Sequence, residues 1–194
     1  MVNNISLLGG SGAGKTYIVD TFLNNREYID SIFHTFTRYQ TIFNKLMLHI
    51  WDNGKSASKE TYQKINDFLI KQSEVLIMVY DINVVKGPNE EDGLDFLKRL
   101  YKDYGKSIGS KNKIRYIVRN KRTQKYHRNA EKDNGEEFAK EIDAKFITIS
   151  FDNKNDVNAL FSDICKKLSE NVELRLGKDL ENAGYYRYYN MFSK

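Results

Sequence analysis

The stretch from Gly9 to Thr16 constrains this chain more than any other. It reads Gly-Gly-Ser-Gly-Ala-Gly-Lys-Thr and fits the pattern G-x-x-x-x-G-K-[ST] of a phosphate-binding loop. Residues 3–8 precede it and predict a buried strand, and residues 17–23 follow with the apolar spacing of a helix. Glycines in this setting let backbone N–H groups turn toward an anion at a helix N-terminus. The sequence therefore predicts a site for a phosphorylated ligand.

Each residue of the motif has an expected role. Lys15 would reach the terminal phosphates as a point charge, and Thr16 would hold Mg²⁺ through its hydroxyl group. The backbone that cradles the phosphates would come from Gly10, Ser11, Gly12, Ala13 and Gly14. The alternative is a glycine-rich turn that fits the pattern by chance. The order of strand, loop, Lys-Thr and helix argues against that alternative.

Composition places the chain among globular proteins. With 194 residues and 40% hydrophobic content, it can form one domain with a good core. Cys165 is the single cysteine, which rules out an internal disulfide and favours a cytoplasmic protein. Because Cys165 falls on an amphipathic pattern, we expect it in the core. We find neither a secretory signal nor an apolar run of membrane-spanning length.

The net charge of +5 is unevenly placed. One stretch without acidic residues contains Lys111, Lys113, Arg115, Arg119, Lys121, Arg122, Lys125 and Arg128. It could be a patch for acidic membranes, nucleic acid or an acidic partner. We favour a solvated loop beside a polyanion site. Few aromatic residues are interleaved, so no nucleic acid is expected as a partner.

Strand and helix patterns alternate along the chain. Further strands are expected at residues 36–43, 46–51, 75–80, 113–118 and 146–150, and further helices at 59–70, 89–104, 136–142 and around 157–168. Asn44 and Lys45 form the tight link of a hairpin, and Asn155 or Asp156 is expected to cap the last helix. Such alternation predicts parallel crossovers and an α/β layer fold, with ligands at the carboxyl ends of the strands.

The end of the chain has a different composition. After Leu176 it is polar and rich in tyrosine, and it could extend the last helix or be partly ordered. We therefore divide the chain into a domain over residues 1–172 and a Tyr-rich C-terminal extension over residues 173–194.

Five sequence motifs of this chain together resemble those of a Ras-superfamily small GTPase, and the Rab branch fits best. The motifs that carry the resemblance are residues 9–16, His49-Ile50-Trp51-Asp52, residues 76–82, Asn120-Lys121, and residues 146–150 leading into Asn155-Asp156-Val157. They occur in family order over residues 3–170. The resemblance implies a P-loop NTPase fold, a three-layer α/β/α arrangement with a six-stranded, mostly parallel sheet and about five helices. It also implies a switch that changes shape between GTP and GDP.

The metal and switch residues follow from the resemblance position by position. Thr16 and Asp52 match the Mg²⁺ ligand and the acidic residue that holds Mg²⁺ through water. Thr35 is the residue we assign to the first switch as a further metal ligand, with His34 and Thr37 as neighbours of the expected position.

The second switch departs from the family pattern. The family continues Thr-Ala-Gly-Gln after the aspartate, whereas this chain continues Asn53-Gly54-Lys55. Gly54 can still offer its N–H group to a terminal phosphate. Lys55 is nearest the position of the glutamine that orients the attacking water, so slow hydrolysis is expected.

The base-reading residues also match unevenly. Asn120 can brace the phosphate loop, the Lys121 stem can lie along the base, and Ser150 and Phe151 occupy the family's Ser-Ala-Lys loop. Thr123 stands where the family has aspartate, and it cannot accept two hydrogen bonds from guanine as a carboxylate does. Tyr28 is either an aromatic wall for the base or a surface tyrosine.

Three functional hypotheses follow. The first is a Rab-like GTP/GDP switch with Mg²⁺, slow GTP hydrolysis and a role in vesicle trafficking, which contacts effectors and regulators through residues 30–40 and 53–70. The second is a catalytically impaired pseudo-GTPase that acts as an interaction module. The third is a P-loop enzyme of another class. No cysteine follows Cys165 to receive a prenyl group, so membrane contact is expected only through a partner.

Overall fold

A computed structural model describes residues 2–24, 26–32, 36–53, 59–82, 93–121, 133–150 and 153–182. The strands are β1 (Val2–Leu8), β2 (Tyr28–Ile32), β3 (Phe36–Phe43), β4 (Leu46–Asn53), β5 (Val75–Asp81), β6 (Ile114–Lys121) and β7 (Lys145–Ser150). The helices are α1 (Lys15–Leu23), α2 (Lys59–Gln72), α3 (Gly93–Ile108), α4 (Gly135–Glu141) and α5 (Lys154–Asn182).

One sheet with the order β2-β3-β4-β1-β5-β6-β7 forms the middle layer. β3 pairs antiparallel with β2 and β4, and the other neighbours pair in parallel. One face packs against α1 and α5, and the other face packs against α2, α3 and α4. The predicted three-layer α/β/α class is therefore confirmed. The carboxyl ends of β1, β4, β5, β6 and β7 meet at one edge, which we call the ligand edge.

The predicted count of six strands was wrong by one. The seventh strand is β2, in a stretch for which the sequence patterns predict no element. It is an edge strand joined to β3 from Tyr28↔Thr41 to Ile32↔Thr37. Ile29 is 68% exposed, so neither face of β2 is fully buried. Backbone pairing rather than apolar alternation therefore makes this strand, and the pattern left no signal for it.

The hairpin prediction is confirmed by the backbone. β3 and β4 pair from Phe43↔Leu46 outward, and both linking residues are left-handed, with φ 49° at Asn44 and 65° at Lys45. Two positive φ angles in a two-residue link define the type I′ turn, whose twist matches that of the flanking strands.

The cap of α5 lies earlier than predicted. The side chain of Asn153, not Asn155 or Asp156, accepts a hydrogen bond from the Asn155 backbone N–H at 3.1 Å. Asp156 instead accepts from the Ser150 N–H at 3.0 Å and from the Asn153 side chain at 2.6 Å. The cap therefore also ties the start of α5 to the end of β7.

α5 extends past the predicted domain boundary at residue 172 and ends at Asn182. Of the two alternatives for the chain after Leu176, a helix extension holds as far as Asn182. Residues 183–194, with their tyrosines, lie outside the described part of the chain. The division into residues 1–172 and 173–194 stays a prediction.

Aromatic and aliphatic packing joins α1 and α5 on one face of the sheet. Phe22 of α1 stacks on Phe161 of α5 with ring centroids 3.7 Å apart. Cys165 is buried in the same cluster, as expected, and burial raises the pKa of its thiol to about 11. A thiol with so high a pKa is a poor nucleophile near neutral pH, which fits a packing role.

Candidate functional site

The phosphate loop crosses the ligand edge between β1 and α1. A Cβ atom at Gly9 would lie 2.2 Å from the Val79 carbonyl oxygen, so only glycine permits this approach to β5. Gly12 and Gly14 have φ angles of 75° and 96°, and Gly14 is the N-cap of α1. No side chain of the described residues caps this helix end. The loop therefore presents a helix N-terminus, the setting in which backbone amides bind anions.

Lys15 supplies a buried positive charge to the loop. Its Nζ donates to the carbonyl oxygens of Gly9 and Gly10, each at 2.9 Å, and the residue is 8% exposed. Burial lowers the pKa of the Lys15 ammonium group, and the negative charge of Asp52 opposes that effect. A phosphate would compensate this buried charge, because an anion favours the charged form of a lysine.

Thr16 and Asp52 meet below the loop. The Thr16 hydroxyl donates to Asp52 Oδ2 at 2.6 Å across a separation of 36 residues. Asp52 Oδ1 is buried and has no hydrogen-bond partner among the described residues. A hydroxyl and a carboxylate with an unused oxygen fit Mg²⁺, which prefers oxygen ligands and usually keeps waters and substrate phosphates beside one or two protein groups. The described residues contain no larger cluster of three His, Cys, Asp or Glu side chains that could hold a metal ion.

Asn120 connects the end of β6 to the phosphate loop. Its Nδ2 donates to the Ala13 carbonyl at 2.8 Å, which is the bracing contact expected from the sequence. Asn120 is fully buried, and its Oδ1 has no partner among the described residues. Lys121 is exposed beside it and pairs in register with Ser150 of β7. These three residues therefore lie together at the ligand edge.

Tyr28 does not join this group. It starts β2, which is separated from β6 by β3, β4, β1 and β5 in the sheet. Its ring packs against Tyr39 with centroids 5.8 Å apart, and the residue is 49% exposed. This placement fits the alternative, a surface tyrosine, because residues 28–32 extend the sheet instead of folding over the ligand edge.

Several predicted site residues lie outside the described part of the chain. They are Thr35, with its neighbour His34, and Gly54, Lys55, Thr123 and Phe151. Their roles stay predictions, as do the nucleotide and metal roles of the residues described above.

The basic run is largely engaged within the fold where it is described. Lys113 donates to the carbonyls of Ile70 and Ser73, each at 2.6 Å. Arg115 pairs with Asp143 at 2.7 Å, and Arg119 pairs with Asp133 at 2.7 Å. The favoured solvated loop is therefore wrong for residues 114–121, which form β6. Arg122, Lys125 and Arg128 lie outside the described residues.

Sequence reasoning missed a buried amide pair next to Asp52. Asn53 Nδ2 donates to Asn66 Oδ1 at 2.9 Å, and both residues are at most 2% exposed. This bond joins the end of β4 to the middle of α2. The available signal was the position of Asn66 between Ile65 and Leu69, on the apolar stripe of a predicted helix, where an amide needs a buried partner.

The comparison with protein families agrees with this architecture. The Ras family model matches residues 4–170, nearly the whole described sheet and its helices. The chain therefore belongs to the Ras family, which implies a guanine-nucleotide-binding switch of the small GTPase class.

The individual relatives that the chain resembles include Rab proteins. Ras-related protein Rab-21 of Homo sapiens is 27% identical over 175 residues, which cover 88% of this chain and 73% of the relative. Ras-related protein SEC4 of Saccharomyces cerevisiae is 26% identical over 89% of this chain and 77% of its own length. GTP-binding protein ypt5 of Schizosaccharomyces pombe is 27% identical, with coverages of 92% and 83%. None of the helices described here is both long enough and apolar enough to span a membrane.

Proposed function

We propose that this protein is a Rab-like switch that binds GTP and GDP with Mg²⁺ and hydrolyses GTP slowly. The observation that carries the proposal is the contact between Thr16 and Asp52 beneath the phosphate loop. It brings a hydroxyl group from the start of α1 and a carboxylate from the end of β4 to the position where a phosphate-bound metal ion needs protein oxygens.

The chain's own residues would divide the work as follows. Backbone amides of residues 10–14 bind the phosphate oxygens, and Lys15 neutralises their charge. Bound Mg²⁺ would supply further charge neutralisation at the phosphates. Asn120 holds the loop against β6, while Lys121 and Ser150, paired in register, would face the base. Gly54 would donate its N–H group to the terminal phosphate, and Thr35 would complete the metal site.

Slow hydrolysis follows from the second switch. An in-line water needs a residue that orients it, and in small GTPases a glutamine does so. Lys55 is nearest to that position in the sequence. A lysine ammonium group has no acceptor atom, so it cannot accept a hydrogen bond from the attacking water as the amide oxygen of glutamine can. We therefore expect single-turnover hydrolysis below about 10⁻⁴ s⁻¹, slower than the roughly 3–5 × 10⁻⁴ s⁻¹ of an unassisted small GTPase that has the glutamine.

An aromatic cluster supports effector contact through residues 30–40 and 53–70. Trp51 packs against Phe36 and Phe68 with ring centroids 5.6 and 6.0 Å away, and Arg38 lies over the Trp51 ring at 5.6 Å. Phe68 is 43% exposed. Exposed aromatic groups beside an arginine are typical anchors of protein interfaces. Because this cluster joins β3, β4 and α2, a change of either switch would alter it.

We also propose a role in vesicle trafficking, carried out in the cytoplasm or at a membrane reached through a partner. The kinship with Rab-21, SEC4 and ypt5 supports this role. The single described cysteine, Cys165, is buried and is not available for lipid attachment in the folded domain.

Nucleotide content tests the binding proposal. The purified protein is denatured, and the supernatant is separated on an anion-exchange column. We expect GDP or GTP in near-stoichiometric amount. Retained ATP would favour a P-loop enzyme of another class, and an empty site that ignores added GTP would contradict nucleotide binding altogether.

The alternative is a catalytically impaired pseudo-GTPase that serves as an interaction module. The buried bond from Asn53 to Asn66 favours it, because it anchors the residue after Asp52 to α2. Single-turnover hydrolysis by Lys55→Gln separates the two. A rate that rises about tenfold or more identifies Lys55 as the limiting residue, whereas an unchanged rate favours the module. Lys71→Gln, at the exposed far end of α2, is the matched control and should leave the rate unchanged.

A further inference from the structure

Arg119 of β6 contacts both β7 and the start of α4, just inside the ligand edge. It stands in register with Tyr80 of β5 and Thr148 of β7, so the three side chains form a row across one face of the sheet. Arg119 Nε donates to Thr148 Oγ1 at 3.1 Å, and Nη1 donates to Asp133 Oδ2 at 2.7 Å. Its guanidinium group also lies over the Phe146 ring at 5.1 Å.

Asp133 has donors on both carboxylate oxygens. Oδ2 accepts from Arg119, and Oδ1 accepts from the Tyr80 hydroxyl at 2.7 Å and from the Gly135 N–H at 3.1 Å. The Asp133 side chain is 6% exposed, against 31% for Arg119. A buried carboxylate held by three donors fixes its backbone closely. Asp133 therefore fastens the first turn of α4 to β5 and β6.

The ion pair between Arg119 and Asp133 lies next to the proposed base-binding residues. Asn120 follows Arg119 directly and points to the opposite face, where it meets Ala13 of the phosphate loop. β6 ends at Lys121, and Asp133 comes just before α4, so the ion pair joins the end of this strand to the start of the next described helix. Ser150 lies two residues beyond Thr148 on β7. The contacts of Arg119 with Thr148 and Phe146 thus add side-chain links to the backbone pairing that joins the ends of β6 and β7.

We propose that Arg119 is a positioning residue for the base, and that its ion pair with Asp133 holds Asn120, Lys121 and Ser150 in the geometry that retains a nucleotide. The inference rests on the proposed guanine-nucleotide binding. Neither residue touches the nucleotide in this account. Both act through the backbone of β6 and the start of α4.

Arg115 offers a matched control on the same strand. It also forms an ion pair on the same face of β6, with Asp143 at 2.7 Å, and its Nη1 donates to the carbonyls of Ile108 and Ser110. It lies at the opposite end of β6 from the ligand edge. Arg115→Met and Arg119→Met therefore each remove one internally paired guanidinium group, but only the second is next to the base site.

The experiment measures GDP dissociation from the full chain loaded with a fluorescent GDP analogue. We expect Arg119→Met to speed dissociation about tenfold, on the scale of a lost charge-assisted hydrogen bond. Arg119→Lys should recover only part of this loss, since an ammonium group can still pair with Asp133 but cannot reproduce the planar guanidinium's contacts with Thr148 and Phe146. The dissociation rate of Arg115→Met should stay within about twofold of that of the unaltered protein, even if this variant lowers the unfolding midpoint as much as Arg119→Met does.

Asp133→Asn provides a second test that keeps an acceptor for Tyr80 and Gly135. It should speed dissociation in the same direction, and the double variant with Arg119→Met should be no faster than Arg119→Met alone, because both remove the same contact. Amide exchange in α4 should rise in both variants without nucleotide.

Two results would overturn the inference. One is unchanged dissociation from Arg119→Met and Asp133→Asn, and the other is an equal acceleration by Arg115→Met. If the unaltered protein bound no GDP, the proposed function would fall first, and this inference with it. That outcome is recognised before any variant is made.

Discussion

At the scale of single residues, Lys15 shows how a binding site can oppose stability. Its ammonium group is buried against two carbonyl oxygens, and burial lowers its pKa despite the nearby charge of Asp52. A lowered lysine pKa means that the charged form is disfavoured in the folded protein relative to the unfolded chain. The buried charge of Lys15 therefore costs stability in the absence of an anion, and a bound phosphate would offset that cost.

Lys15→Met should separate binding from stability. We expect the variant to lose nucleotide retention, yet without nucleotide to unfold at an equal or higher urea concentration than the unaltered protein at neutral pH. The unaltered protein binds fewer protons when folded, so its stability should rise as pH increases from the lowered Lys15 pKa toward 10.5, and the advantage of the variant should shrink. Lys140→Met, which removes a surface ion pair with Glu136, is the control. A variant that unfolds at much lower urea concentration would contradict this account.

At the scale of elements, the hairpin between β3 and β4 carries avoidable strain. Lys45 has a φ of 65°, a conformation that costs a residue with a Cβ atom about 1–2 kcal/mol. Asn44, at φ 49°, is a residue type that tolerates this region better. The turn therefore keeps the register of the hairpin although the backbone conformation of Lys45 is unfavourable.

Lys45→Gly should stabilise the protein by roughly 0.5–1 kcal/mol, because the relieved strain exceeds the added entropy of glycine in the unfolded chain. Urea unfolding of the nucleotide-free protein measures it. Lys140→Gly within α4 should have the opposite sign and cost about 1 kcal/mol, since its backbone is helical. Equal destabilisation by both substitutions would show that the turn is not strained.

Local patterns were sufficient for most elements and insufficient for contacts between them. The apolar run of β5, buried at every position, and the amphipathic stripe of α5 were predictable because burial on a strand or helix leaves a periodic signal. β2 left none, because its pairing uses backbone groups at an exposed edge. Arg119 and Asp133 were also unpredictable as a pair, because their meeting depends on where α4 returns to the sheet.

The candidate site divides in the same way. Lys15 and Thr16 were named from the phosphate-loop motif and Asp52 from the family resemblance, and the structure brings them together. For Tyr28 the sequence left two alternatives open, an aromatic wall for the base or a surface tyrosine, and the chain uses that stretch as a strand.

At the scale of the whole molecule, two apolar clusters on opposite faces of one sheet hold the layers together. On α5, the fully buried side chains among residues 154–172 begin at Val157 and end at Leu168. Residues 169–172 are partly buried or exposed, so the predicted boundary at residue 172 follows the last fully buried side chain of this range.

A chain truncated after residue 172 should therefore keep cooperative unfolding and GDP binding. A chain truncated after residue 163 would lose Ile164, Cys165 and Leu168 from the core, and each large buried side chain removed costs about 2–5 kcal/mol. Circular dichroism during urea unfolding compares the two. Loss of cooperativity in the longer truncation would mean that residues 173–194 belong to the domain.

The approach of Gly9 to the Val79 carbonyl leaves that position no room to vary. Because a Cβ atom at position 9 would lie 2.2 Å from the Val79 carbonyl oxygen, any side chain there would force the loop and β5 apart. A substitution of Gly9 should therefore disturb the start of the loop and the central strand together.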